Sequence, residues 1–122
     1  MAGSSSILIA TRQSSTSTIV DVNGDITLRS TPELRKVLLD LFREKRAVRV
    51  IVNLTKVSYI DSAGIASLVE ALRVARDMNR SFALFGLGRV ARQVLELTRL
   101  TKVFEIYDDE AAALGTDGVS RA

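Results

Sequence analysis

The sequence predicts one α/β domain: a mixed, mostly parallel sheet of four to five strands with flanking helices. Three observations carry this. Short apolar, β-branched runs alternate with amphipathic helical patterns, the layout of βαβ units. The run Val48 to Leu54 is nearly continuous in apolar and β-branched residues, as a central strand covered on both faces should be. The first two strand candidates are separated only by a short polar break, so they can add a hairpin at one edge. A length of 122 residues suits one domain, and 47% hydrophobic with 25% charged residues is a globular composition.

In order, residues 1–6 read as a flexible N-terminal lead and Ile7 to Ala10 as a short strand. Ser14 to Ser17 form a turn-rich break, and Thr18 to Val22 a second strand, closed by the hairpin or turn signal Asn23-Gly24. Thr31-Pro32-Glu33 reads as a cap followed by proline in the first turn of a helix. Leu34, Val37, Leu38, Leu41 and Phe42 mark its buried face, and basic Arg43 to Arg46 suit its C-terminus. After the central strand, a second helix begins near Ser62, with Ile65, Leu68, Val69, Leu72, Ala75 and Met78 inward. Ser81 to Phe85 is another strand. A third helix, Arg89 to Arg99, is expected to bury Val90, Val94 and Leu97. Val103 to Tyr107 reads as the last strand and Asp109 to Leu114 as a short capped helix. Residues 7–114 thus make the domain, and 115–122 a flexible, frayed tail.

Composition excludes several functions. With no His and no Cys there is no Ser-His-Asp triad, no thiol nucleophile, no ordinary zinc site and no disulfide. No carboxylate pair or phosphate loop stands out, so an enzyme is not expected, and neither is a cofactor or metal. No apolar run approaches the ~18 to 20 residues that cross a bilayer, and Met1 to Ser6 lacks the features of a signal peptide. Cytoplasmic residence without membrane insertion is the expectation. The net charge of +3 is mild. Arg73, Arg76 and Arg80 share a helical face, with Arg89, Arg92, Arg99 and Lys102 following. With six aromatics and no Trp, a solvated face is preferred to a nucleic-acid platform.

Two motifs carry potential chemistry. Gly86-Leu87-Gly88-Arg89-Val90-Ala91 follows a strand, opens a helix and has the Gly-x-Gly-x-x-Ala spacing of a dinucleotide fingerprint, with Asp108 about 20 residues on. The helix is short and too little chain follows to complete such a site, so a plain strand-to-helix turn is the better reading. The second motif is Tyr59-Ile60-Asp61-Ser62-Ala63-Gly64-Ile65. It sets the Ser62 hydroxyl at a helix mouth, where free N–H groups and the helix dipole suit an anion. Asp61 or Ser62 serving simply as an N-cap would also explain either residue.

With Asn53-Leu54 before it, this stretch closely resembles the STAS domain of bacterial anti-sigma factor antagonists (anti-anti-sigma factors). Gly24-Asp25-Ile26 matches the glycine-acid-aliphatic start of that family's loop after the second strand. Arg89 to Leu100 followed by Lys102-Val103-Phe104 matches its helix before the last strand. The resemblance covers roughly residues 7 to 114. It implies that Ser62 is phosphorylated by an anti-sigma factor serine kinase of the GHKL ATPase type. The unphosphorylated chain would bind that kinase and free a sigma factor, and a serine phosphatase would reset the cycle. Asp25, Thr27, Arg29, Ser58, Tyr59, Asp61, Ser62, Ala63 and Gly64 are then the expected partner-binding residues. Ala63 replaces a second serine common in the family, and Thr27 replaces the usual loop acid, which bears on partner choice. A homodimer is compatible with the pattern. Related STAS proteins offer two other roles: regulatory subunit of an ABC-type lipid-transport complex, or component of a stress-sensing or secretion-control switch. Ser62 favours the phosphorylation cycle over the transport role, where threonine is common.

Overall fold

Five strands form one sheet in the order β1-β2-β3-β4-β5 in a computed structural model that describes residues 7–115. The strands are β1 (Leu8–Ser14), β2 (Ser17–Asn23), β3 (Arg49–Lys56), β4 (Ser81–Phe85) and β5 (Glu105–Tyr107). The helices are α1 (Thr31–Arg43), α2 (Ser62–Asp77), α3 (Arg89–Leu97) and α4 (Glu110–Gly115), with a 3-10 turn at Leu100–Lys102. Pairing is antiparallel between β1 and β2 and parallel everywhere else, so this is the mixed, mostly parallel sheet expected. The expected lead, 1–6, and all but Gly115 of the expected tail lie outside the described residues.

Alternation along the strands divides the core in two. Val20, Val50, Val52, Leu54, Phe82 and Leu84 face α1, α2 and α3, meeting Leu34, Leu38, Leu68 and Leu95 in the main core. Ile19, Ile51, Ala83 and Phe85 point to the other face, where Ala113 of α4 covers them. Both neighbours of Ile51 therefore face away from it, and all three are fully buried, as a doubly covered central strand requires. Each fully buried Leu or Ile contributes about 1.5 to 3 kcal/mol relative to leaving it in water.

Several boundaries differ from the sequence reading. β1 runs on to Ser14, because Thr11, Arg12 and Gln13 pair with Val20, Ile19 and Thr18; polar residues on an edge strand give no apolar alternation. The chain reverses at Ser15, whose φ of 57° is left-handed. Asn23-Gly24 is not a hairpin: Gly24 (φ 123°) donates its N–H to Lys56 O and leads toward α1. The N-cap position of α1 is Ser30, not Thr31, and its hydroxyl makes no cap bond. β3 starts at Arg49, leaving Val48 exposed, and extends to Lys56.

The phase of α3 corrects the expected core. Ala91 and Leu95 are fully buried, Val94 is half-buried, Val90 is exposed and Leu97 is 84% exposed. Nine residues carry two overlapping apolar stripes, and packing selects the one with Ala91 and Leu95. β5 is shorter than expected because Val103 and Phe104 give their N–H groups to Leu100 O. Phe104 is still buried, with its ring 6.3 Å from that of Phe82.

Candidate functional site

The carboxyl end of β3 delivers the chain to the mouth of α2, the end of a parallel sheet where sites usually form. Val57 and Ile60 turn inward and are buried, while Ser58 and Tyr59 stay exposed. Ile60 forms a parallel bridge with Ile26. Around that bridge, Ile26 N–H donates to Tyr59 O at 3.0 Å and Asp61 N–H to Ile26 O at 3.1 Å. Backbone pairing thus fastens the loop after β2 to the loop before α2.

Asp61 is the N-cap, which resolves the choice between Asp61 and Ser62. Its Oδ1 accepts the N–H of Gly64 at 2.9 Å and its Oδ2 accepts the N–H of Leu28 at 2.9 Å. The Gly64 bond, with a smaller share from Leu28, holds the Asp61 carboxyl below the usual aspartate range, outweighing the cost of partial desolvation. Asp61 is therefore an anion near neutral pH. Gly64 is buried because the helix passes directly over Ile26: a Cβ there would stand 2.7 Å from Ile26 O and 2.8 Å from a methyl of Ile60.

Ser62 is the first residue of α2 and is exposed. No hydrogen bond among the described residues engages its hydroxyl. Ala63 is half-buried beside it. In the loop, Thr27 is half-buried, its N–H donating to Ser30 Oγ at 2.9 Å, and that hydroxyl donates to Asp25 O at 2.8 Å. Asp25 and Arg29 are exposed and form no ion pair among the described residues. Of the nine sequence-predicted partner-binding residues, Asp25, Thr27, Arg29, Ser58, Tyr59 and Asp61 therefore lie on two loops bound to each other, and Ser62, Ala63 and Gly64 form the first turn of α2. Leu28 was not among them, yet it is 73% exposed next to the Asp61 tether, with Tyr59 46% exposed nearby in the chain. A single leucine between polar neighbours gives no sign, in sequence, of facing outward.

The Gly-x-Gly turn has a packing cause. Gly86 has φ 77°, and a Cβ on it would lie 2.2 Å from the Thr55 side chain, while Gly88 is the N-cap position of α3. Among the described residues, no group of three or more His, Cys, Asp or Glu could hold a metal ion, and no helix is long and apolar enough to cross a membrane.

A family model of the STAS domain matches residues 8–113. An anti-sigma-B factor antagonist of Listeria monocytogenes is 29% identical over 96 residues, 79% of this chain and 83% of that protein. Among solved structures, an anti-sigma factor antagonist from Mycobacterium paratuberculosis superposes with a TM-score of 0.82 at 21% identity, covering 91% of this chain and 93% of the other. The anti-sigma factor antagonist SpoIIAA in its unphosphorylated form gives 0.76 at 16% identity, covering 93% and 100%. The Bacillus SpoIIAA in phosphorylated form gives 0.68 at 14%, covering 87% and 96%. At such identities the structural likeness speaks for the fold, and the sequence match carries the family: the chain belongs to the STAS domain family, among relatives named anti-sigma factor antagonists.

Proposed function

We propose that this chain is a partner-switching anti-sigma factor antagonist whose switch is Ser62. In this reading the unphosphorylated form binds an anti-sigma factor that is itself a GHKL-type serine kinase, and the sigma factor is released. Phosphorylation of Ser62 ends that binding, and a serine phosphatase restores it. The chain is then a kinase substrate and a binding partner, not a catalyst, acting in the cytoplasm.

The observation that carries the reading is the exposure of Ser62 at the first position of α2, beside a carboxylate whose position two backbone donors set. A phosphate there adds about −1.5 to −2 charges. The first-turn N–H groups and the helix dipole tolerate that charge within the fold. On the outer surface it joins the Asp61 anion, so a partner seated over Leu28, Tyr59 and Ser62 meets two adjacent negative groups where it had met one. The effect is repulsion and steric mismatch at the docked face, without refolding. Asp25, Thr27, Arg29, Ser58 and Ala63 form the rim of that face, and Gly64 lets the two loops approach.

The test is incubation of the protein with ATP and, in turn, each GHKL-type serine kinase of its source genome, followed by mass spectrometric mapping. One phosphate on Ser62 is expected. Phosphate on Ser58 or Thr55 instead, or none with any of these kinases, rejects the reading.

A further inference from the structure

Helix α2 ends in a reversal. Asn79 takes a left-handed φ of 57°, and Arg80 N–H folds back to Ala75 O at 2.7 Å, as in a Schellman ending. This sets Arg80 immediately before β4, four residues beyond Arg76. A hollow of about 420 Å³ lies there, walled by Arg76, Arg80 and Lys102 and floored by Leu72, Phe82 and Phe104.

None of these three cations forms a salt bridge among the described residues, whereas Arg12, Arg35, Arg49 and Arg92 each meet a carboxylate. Glu105 also reaches the hollow, but its carboxylate accepts from Arg49 Nη1 at 3.3 Å and from the Tyr107 hydroxyl at 2.6 Å. Arg80 is half-buried, and its Nε is shut off from solvent with no hydrogen-bond partner. The negative end of the α2 dipole accounts for Arg76 in its last turn. It does not account for Lys102, which lines the same hollow.

We propose that this hollow binds a small, soluble, phosphate-bearing anion of at least two negative charges. Guanidinium groups offer paired donors that match phosphate oxygens, and Lys102 adds a point charge to the same lining. A single charge would leave most of the three cations uncompensated. The volume is in the range of small-molecule pockets, and the aromatic floor suits the body of an organic phosphate. The site is roughly 20 Å from Ser62 along α2 at 1.5 Å per residue. It stands or falls independently of the switch.

The test is a titration of the isotopically labelled protein with sodium pyrophosphate at constant ionic strength, followed by NMR. Shifts confined to Arg76–Ser81 and Lys102–Glu105, with movement of the Arg80 Nε–H resonance and saturation at submillimolar ligand, are expected. Arg80→Gln should weaken binding by about tenfold, the scale of one lost charge-assisted contact. Lys102→Gln, at an exposed position, should weaken it by about threefold, and it keeps the test decisive if Arg80→Gln does not fold. Shifts spread evenly over the surface, or unchanged affinity in Lys102→Gln, overturn the proposal.

Discussion

Asp61 Oδ2 accepts the backbone N–H of Leu28 at 2.9 Å, a bond between residues 33 apart in sequence. The other carboxylate oxygen caps α2 through Gly64. One side chain thus sets both the helix start and the loop that presents Leu28. Asp61→Ala should lower stability by about 1 to 3 kcal/mol, combining a lost cap with a lost hydrogen bond to a charged group. The readout is a lower urea midpoint at unchanged slope. Asp61→Asn retains one acceptor oxygen and should lose less. Equal stability of parent and Asp61→Ala would mean that neither bond contributes.

At Gly64 two effects compete. Alanine in place of glycine within a helix ordinarily gains about 1 kcal/mol. Here the added Cβ meets the backbone oxygen of Ile26 at 2.7 Å, and that oxygen also accepts the Asp61 N–H. A backbone atom engaged in the loop pairing cannot withdraw cheaply, so strain of about 1 to 3 kcal/mol should win. Gly64→Ala is expected to be less stable than the parent in thermal or urea unfolding. A gain in stability would show that the two loops can part without cost.

Acid should remove a defined set of interactions. Arg12 holds the carboxyls of Asp21 and Glu110 below their usual range, mainly through its side-chain hydrogen bonds, and Arg35 does the same for Glu70. The Gly64 N–H acts likewise on Asp61. Each folded value is depressed, so the stability it brings is present above the ordinary value and lost as pH falls through the folded one. Ordinary values are 3.8 for Asp and 4.5 for Glu, so the loss begins below that window. Arg12→Gln provides the check. Its deficit relative to the parent should be modest at neutral pH, because Arg12 is 43% exposed, and should shrink as the pH drops below the carboxylate range. A deficit independent of pH would locate the effect of Arg12 elsewhere.

The strand and helix order was legible because strands and helices have different apolar periods, and the central strand announced itself by its unbroken run. The phase of α3 was not, since Val90, Val94 and Leu97 and the pair Ala91 and Leu95 both satisfy a helical period over nine residues. Only contact with the main core decides between them. Leu95→Ala should therefore cost about 2 to 5 kcal/mol, while Leu97→Ala, at a position 84% exposed, should fall within about ±0.5 kcal/mol of the parent. Unfolding curves of the two variants check this. The loop tether was illegible for a different reason: Asp61 advertises a cap, but its second acceptor is used by a residue 33 positions away, which no local pattern encodes.

Ser62 allows folding and recognition to be separated. Ser62→Ala should unfold close to the parent, because Asp61, not Ser62, caps α2, and it should take up no phosphate. Ser62→Asp should also fold, since a carboxylate in the first turn is favoured by about 0.3 to 1 kcal/mol. Repulsion from the neighbouring Asp61 anion offsets part of that gain. Against the kinase that modifies the parent, Ser62→Ala should bind like the unphosphorylated protein and Ser62→Asp more weakly, because the added charge faces outward where Leu28 and Tyr59 stand exposed. Calorimetry with both variants at the same salt concentration measures the difference. Equal affinity would leave Ser62 a modification site but remove the switch. Loss of binding in both variants would instead place the serine hydroxyl itself among the contacts.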